Sequence, residues 1–177
     1  MLEDIEEILF EEQMIKEKVR ELAAAISKDY EGKELVLVCI LKGAAVFTAD
    51  LIRHLSLKIT IDYVQAASYG SSTTAARAIE IKKDVETDIR GKHVLLVDTI
   101  IDTGATLQSL RTMLNKRGPA SLKTVVLLDK RSRRASTVPV EYFGFACPDS
   151  FVVGYGMDRG ESFRNLPYIA ALRSGAK

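Results

Sequence analysis

Apolar residues at Ile15, Val19, Leu22 and Ile26 recur at helical spacing and predict a helix that stops around Gly32. The run ELVLVCIL, from Glu34 to Leu41, is continuously apolar, which predicts a strand covered on both faces as in a parallel sheet. GAAVFTADLIRHL follows with helical character. KITIDYVQAA, Lys58 to Ala67, alternates like a strand, SYGSSTTAA has the small polar composition of a loop, and AIEIKK predicts a short returning strand. A further buried strand is expected from about Lys92 to Val97. A helix should then start near Gly104, with Leu107, Leu110 and Leu114 on one face and KRGP at its end. KTVVLLDK, EYFGFAC, FVVGYGM and YIAAL complete the strands. Strands alternating with helices predict an α/β fold with a mostly parallel central sheet flanked by helices, whose ligands bind beyond the carboxyl ends of the strands.

No linker, internal repeat or low-complexity tract interrupts the 177 residues, so a single domain over 1–177 is expected, with 47% hydrophobic residues to fill its core. Lys and Arg number 25 against 24 Asp and Glu, a balance that offers no broad basic face for nucleic acid or a membrane surface. An anionic ligand must therefore be held locally. The acidic start MLEDIEEILF lacks the pattern of a secretory signal and predicts a cytoplasmic protein. Cys39 and Cys147 both lie in apolar surroundings, which suits buried thiols in a reducing compartment. The two histidines, His54 and His93, have no neighbouring candidate ligand or nucleophilic serine, so zinc hydrolase and Ser-His-Asp chemistry lose their support.

The stretch VLLVDTIIDTGATL, Val94 to Leu107, carries the most informative chemistry. Asp98 to Thr106 is expected to form the turn from strand to helix, where unpaired N–H groups at the helix N-terminus favour an anion. Thr103 and Thr106 add hydroxyl donors, Ala105 adds a first-turn amide, and Gly104 lets the backbone approach a phosphate closely. Asp98 and Asp102 would repel that anion unless they serve sugar hydroxyls, a Mg²⁺ ion or a proton in flight. A phosphorylated ribose carrying a magnesium-bound pyrophosphate has need of all three. The chain contains no G-x-x-x-x-G-K-[ST] motif, and GYGMDRG, Gly154 to Gly160, misses the dinucleotide glycine spacing by one residue.

With these residues in view, nearly the whole chain resembles the bacterial hypoxanthine (hypoxanthine-guanine) phosphoribosyltransferases, of the type I phosphoribosyltransferase fold. LKGA, ASYG, VLLVDTIIDTGATL, LLDK and FVVGYGMD with FRNLP match the family's site segments in order. The resemblance implies a small hood formed by the chain ends and transfer of a 5-phosphoribosyl group from phosphoribosyl pyrophosphate to N9 of a 6-oxopurine. Mg²⁺ would be the cofactor, and a homodimer or homotetramer the assembly. It further implies that Asp102 is the acid/base near purine N7, that Lys130 donates to the 6-oxo group, that Phe151 stacks on the purine, and that Val152 offers backbone groups to its edge. Asp158 is implied beside the purine and, with Asp98, at the metal. Lys42, Gly43 and Arg164 are implied at the pyrophosphate, after a cis peptide at Leu41, and Ser68 and Tyr69 in a loop that closes over the site. Where similar enzymes carry Glu-Asp on the ribose hydroxyls, this chain has Asp98 and Thr99, so one negative charge is missing and Thr99 is expected to contact ribose through its hydroxyl.

Two other readings share this pocket. A regulator could keep it for sensing alone, but it would require neither Asp102 nor Lys130; an RNA-binding attenuator would require the basic face that the charge balance denies. The remainder of KRSRR, Lys130 to Arg134, is expected to be a solvated turn or a subunit contact.

Overall fold

In a computed structural model of the chain, the structure describes residues 2–68 and 79–173. Six strands form the main sheet: β2 (Leu35–Leu41), β3 (Ile59–Ser68), β4 (Ile79–Lys83), β5 (His93–Ile101), β6 (Ser121–Asp129) and β7 (Tyr142–Ala146). Their order is β4-β3-β2-β5-β6-β7, parallel throughout except for β4, which returns antiparallel to β3. α1 (Glu12–Asp29) and α2 (Ala45–Ile52) cover one face, and α3 (Ala105–Asn115) covers the other. The two faces explain the unbroken apolar runs. Along β5, Leu95 and Val97 pack into the core with Ile15, Val19 and Phe47, while Val94 and Leu96 pack into the opposite core with Leu107, Leu110 and Leu114. The expected mostly parallel sheet flanked by helices is borne out.

A second sheet joins the chain ends, with β1 (Ile5–Phe10), β9 (Ile169–Leu172) and β8 (Val152–Val153) antiparallel in the order β1-β9-β8. Sequence patterning gave no strand for β1. IEEILF does not alternate cleanly, and its partner lies at the far end of the chain, with Ile5 opposite Leu172. β8 is shorter than FVVGYGM suggested because Gly154, at φ 94°, turns the chain out of the ladder.

β5 is longer than expected. It continues past Val97 to Ile101, with Ile100 opposite Leu128 and Ile101 opposite Asp129. Asp98 and Thr99 therefore stand inside the strand, and the turn proper begins at Asp102. Among the described residues, no helix is long and apolar enough to cross a membrane.

Candidate active site

Strand order reverses between β2 and β5: the chain moves outward through β3 on one side and through β6 and β7 on the other. Such a switch point leaves a crevice at the carboxyl ends. A cavity of about 340 Å³ opens there, lined by Lys42, Gly43, Ile100, Asp102, Lys130, Phe151, Val152, Met157, Asp158 and Arg164. Eight of these positions, all but Ile100 and Met157, are site residues anticipated from the sequence, drawn from segments more than a hundred residues apart.

Lys42 and Gly43 follow β2, and the Leu41–Lys42 peptide is cis, as the resemblance implied. At the end of β5, Asp102 accepts a hydrogen bond from Arg133 Nε at 3.0 Å, and Arg133 also lies 3.6 Å from Asp149. This arginine is a site neighbour, in a segment expected from the sequence to be a solvated turn or a subunit contact. Its neighbours Arg131 and Arg134 pair instead with the buried Asp129, at 3.3 and 2.9 Å. Ala135 N–H donates to Thr103 O at 3.1 Å, so the segment after Lys130 is fastened to the strand-to-helix turn.

Gly104 heads α3 at φ 85°, and a β-carbon there would lie 2.4 Å from Ser136 Oγ. Only glycine fits. Thr103 is exposed, with its hydroxyl accepting from Ala105 N–H at 3.4 Å; Ala105 and Thr106 are half-exposed. The first turn of α3 thus presents amides and hydroxyls outward, as an anion cradle requires.

Asp98 is half-buried, and its Oδ1 accepts the Thr99 N–H at 2.7 Å. Burial lifts its carboxyl to a pKa of about 7, against the opposing pull of the Thr99 and Ile100 amides. Thr99 departs from expectation. Its side chain is wholly buried, and its hydroxyl donates to Gly43 O at 2.9 Å. Strand alternation turns it away from Asp98, so Thr99 braces the Lys42–Gly43 loop and has no surface to offer a ribose.

Lys130 is only 7% exposed, its N–H is bonded to Ile101 O at 3.0 Å, and its ammonium has no ion-pair partner among the described residues. A buried, unpaired ammonium facing a cavity is suited to a neutral oxygen acceptor. Phe151 is 56% exposed at the same mouth, the reverse of a core aromatic. Leu172 N–H donates to Phe151 O at 2.9 Å, which makes that pair the bonded one of the antiparallel ladder. By alternation, Val152 turns its own N–H and C=O away from β9, toward the open side of an edge strand.

The loop after β8 supplies the remaining groups. Asp158 accepts the Glu161 N–H at 2.8 Å and pairs with Arg164 Nη2 at 2.8 Å. Arg164 Nη1 donates to Gly156 O at 2.7 Å, while its Nε is buried without a partner among the described residues. Gly156, at φ 94°, sits so close to the other wall that a β-carbon would lie 2.3 Å from Gly43 O. Ser68 ends β3, and Tyr69 lies outside the described residues.

A mostly parallel sheet with a strand-to-helix turn at its switch point and a chain-end sheet beside it is the architecture expected of a sugar-phosphate transferase. The phosphoribosyl transferase domain pattern matches residues 6–159, and the chain belongs to that family. Among curated relatives, the hypoxanthine-guanine phosphoribosyltransferase of Streptococcus pneumoniae is 45% identical, over 98% of this chain and 97% of that one. The hypoxanthine phosphoribosyltransferase of Escherichia coli K12 is 46% identical, over 92% and 93%. The crystal structure of a hypoxanthine phosphoribosyltransferase from Staphylococcus aureus superposes with a TM-score of 0.94 at 43% identity, covering 98% of this chain and 94% of that one. A hypoxanthine-guanine phosphoribosyltransferase from Bacillus anthracis gives 0.89 at 44%, covering 96% and 99%.

Proposed function

We propose that this protein is a purine salvage enzyme that transfers the 5-phosphoribosyl group of phosphoribosyl pyrophosphate to N9 of hypoxanthine or guanine, giving the nucleoside monophosphate and pyrophosphate. One observation carries the reading: an unpaired Lys130 ammonium, an exposed Phe151 ring and the outward backbone of Val152 converge in the cavity that Asp102 lines. A planar base stacked on Phe151 would place its 6-oxo oxygen at Lys130 and its edge at Val152. The sugar phosphate would rest on the turn from Asp102 to Thr106, and the pyrophosphate between Lys42, Gly43 and Arg164.

Loss of pyrophosphate leaves positive charge on the ribose, as in glycoside cleavage, so the protein's work is charge placement and proton transfer at the base. Asp102 is the group placed to hold or move the purine N7 proton, with Arg133 fixing its orientation. Asp98 serves the ribose side.

The donor set fits Mg²⁺. The ion takes hard oxygen ligands and needs one or two carboxylates beside substrate phosphates and water, which Asp158 on the cavity wall and Asp98 can supply. The unusually basic Asp98 carboxyl also suits a neighbouring cation, which would restore its charge. Bound Mg²⁺ would neutralise the departing diphosphate. We read residues 1–177 as one unit, working in the cytoplasm as a homodimer or homotetramer.

The test is to incubate the purified chain with Mg²⁺, phosphoribosyl pyrophosphate and hypoxanthine, guanine or xanthine separately, and to follow nucleotide formation. Product with hypoxanthine or guanine is expected. Absence of product with every base would overturn the assignment.

A further inference from the structure

Lys42 and Arg164, the cations assigned above to pyrophosphate, are already bridged by a carboxylate. Glu161 Oε1 lies 2.9 Å from Lys42 Nζ, and its Oε2 lies 3.2 Å from Arg164 Nη2. The two cations come from segments that are distant in sequence, after β2 and after β8, and Glu161 spans them with one oxygen on each. A diphosphate oxygen pair would have to make the same two contacts.

The backbone reinforces the arrangement. Glu161 has φ 68°, in the left-handed region that a non-glycine residue enters at a cost, and its N–H is held by Asp158 Oδ2 at 2.8 Å. The neighbouring Phe163, 4% exposed at φ 76°, anchors the same loop in the hood core. The carboxylate is thereby presented to the cations by a fixed turn. Its side chain nevertheless remains 64% exposed and that of Lys42 55% exposed, so the Lys42 pair is solvated and readily exchanged, while Arg164, 25% exposed, keeps Asp158 as a partner at 2.8 Å when Glu161 leaves.

We propose that Glu161 is an internal stand-in for the diphosphate: it aligns Lys42 and Arg164 while the site is empty and competes with the anion when it binds. This rests on the pyrophosphate assignment made above. A diphosphate carries more charge and more acceptors than one carboxylate, so it displaces Glu161 and leaves that side chain to water. The competition makes the diphosphate weaker-binding than the two cations alone would hold it. Substrate is captured less tightly in consequence, and the pyrophosphate product leaves faster. Glu161 acts through Lys42 and Arg164 and is a positioning residue.

The test is calorimetric titration of inorganic pyrophosphate, in the presence of Mg²⁺, into the full chain and into Glu161→Gln and Glu161→Ala. Thermal melts accompany the titrations to separate anion affinity from folding. Glutamine keeps the size of the side chain and its left-handed backbone while removing the charge. Pyrophosphate should bind Glu161→Gln about three- to tenfold more tightly than the parent, the scale expected when the two ion pairs of one exposed carboxylate no longer need to be broken. The apparent KM for phosphoribosyl pyrophosphate should fall with it, and kcat should fall if product release limits turnover. Equal or weaker binding by Glu161→Gln would overturn the proposal while leaving the pyrophosphate site intact, because alignment would then be the whole of the residue's role. Failure of all three proteins to bind pyrophosphate would overturn the assignment of Lys42 and Arg164 as well.

Discussion

The two walls of the cavity are made in different ways. The β5 wall takes its geometry from a regular strand with a packed core on both faces, so the side on which Asp98 and Thr99 project is fixed by alternation alone. The wall from Gly154 to Arg164 has almost no regular structure. It is shaped by left-handed residues, Tyr155 at φ 49°, Glu161 at 68° and Phe163 at 76°, together with the bridges Gly154 to Met157 and Arg159 to Ser162. Bulky residues avoid such torsions unless packing holds them there. Here it does: Phe163 and Tyr155 are both buried, and the Tyr155 hydroxyl donates to Asp50 at 2.6 Å. A strand can present chemistry wherever its period falls, whereas a loop must be anchored residue by residue.

The point where the walls touch offers the sharpest way to break this contrast. Gly156→Ala would force a β-carbon against Gly43 O at φ 94°, and should cost about 3 kcal/mol, or roughly 10 °C in Tm for a chain of this size, with the phosphoribosyl transfer rate falling in parallel. A melt unchanged within about 2 °C would show the walls to be mechanically independent.

Next in size is Asp102→Asn. It should leave the fold intact and lower turnover about 100-fold, the usual scale for a general acid/base. Pre-steady-state assays that found an unchanged chemical step would remove Asp102 from that role. Arg133→Ala should have a smaller effect, visible as a lower kcat with substrate binding retained, since it frees the orientation of the carboxylate without removing it.

Asp98 tests what the strand-built wall costs. The unfolded carboxyl ionises near 3.8 and the folded one near 7, so between those values the native state holds the extra proton. Stability therefore falls as pH rises from about 4 to 7, and the penalty is complete above that window. Asp98→Asn should raise stability at pH 8, show no gain below pH 4, and weaken phosphoribosyl pyrophosphate binding. Urea melts across pH check the first two expectations, and a gain that persists at low pH would mean that something other than ionisation is relieved.

The smallest change is expected at Thr99. Thr99→Val should cost about 1 kcal/mol of stability by leaving Gly43 O without its buried donor, and should weaken pyrophosphate binding through the loop. Thr99→Ser should restore both. Thr99→Asp, which would recreate the acidic pair of similar enzymes, should do more harm than Thr99→Val because it sets a carboxylate against a carbonyl oxygen. Tighter donor binding by that variant would return Thr99 to the ribose.

The same contrast accounts for what the sequence disclosed. Strand and helix periods located the sheet, and the motif segments located most of the cavity lining, because each segment sits at the end of an element whose direction periodicity defines. The end of β5 was missed: polar Asp98 and Thr99 look like a terminus until Gly43, 56 residues away, supplies the buried Thr99 hydroxyl with a backbone acceptor. The same limit hid Arg133, whose meaning depends on Asp102, 31 residues earlier. In the loop wall, glycine positions hinted at turns, but left-handed torsions at Tyr155, Glu161 and Phe163 leave no compositional trace. Those of Tyr155 and Phe163 are held by burial that only the folded hood provides, and that of Glu161 by the bond from its N–H to Asp158.

The outward amide and carbonyl of Val152 carry a consequence for how such an enzyme could change its diet. A base edge read by the main chain is read by atoms that every residue type except proline possesses, so substitutions at this position cannot rewrite the hydrogen-bonding pattern directly. The side chain is buried in the core, where its variation is limited by packing. A lineage under selection for another purine would therefore have to displace the edge strand as a whole, through its contacts with β9 or the turn at Gly154, or recruit new side chains around the ring. On the purine site proposed above, base choice would be inherited with the shape of the sheet.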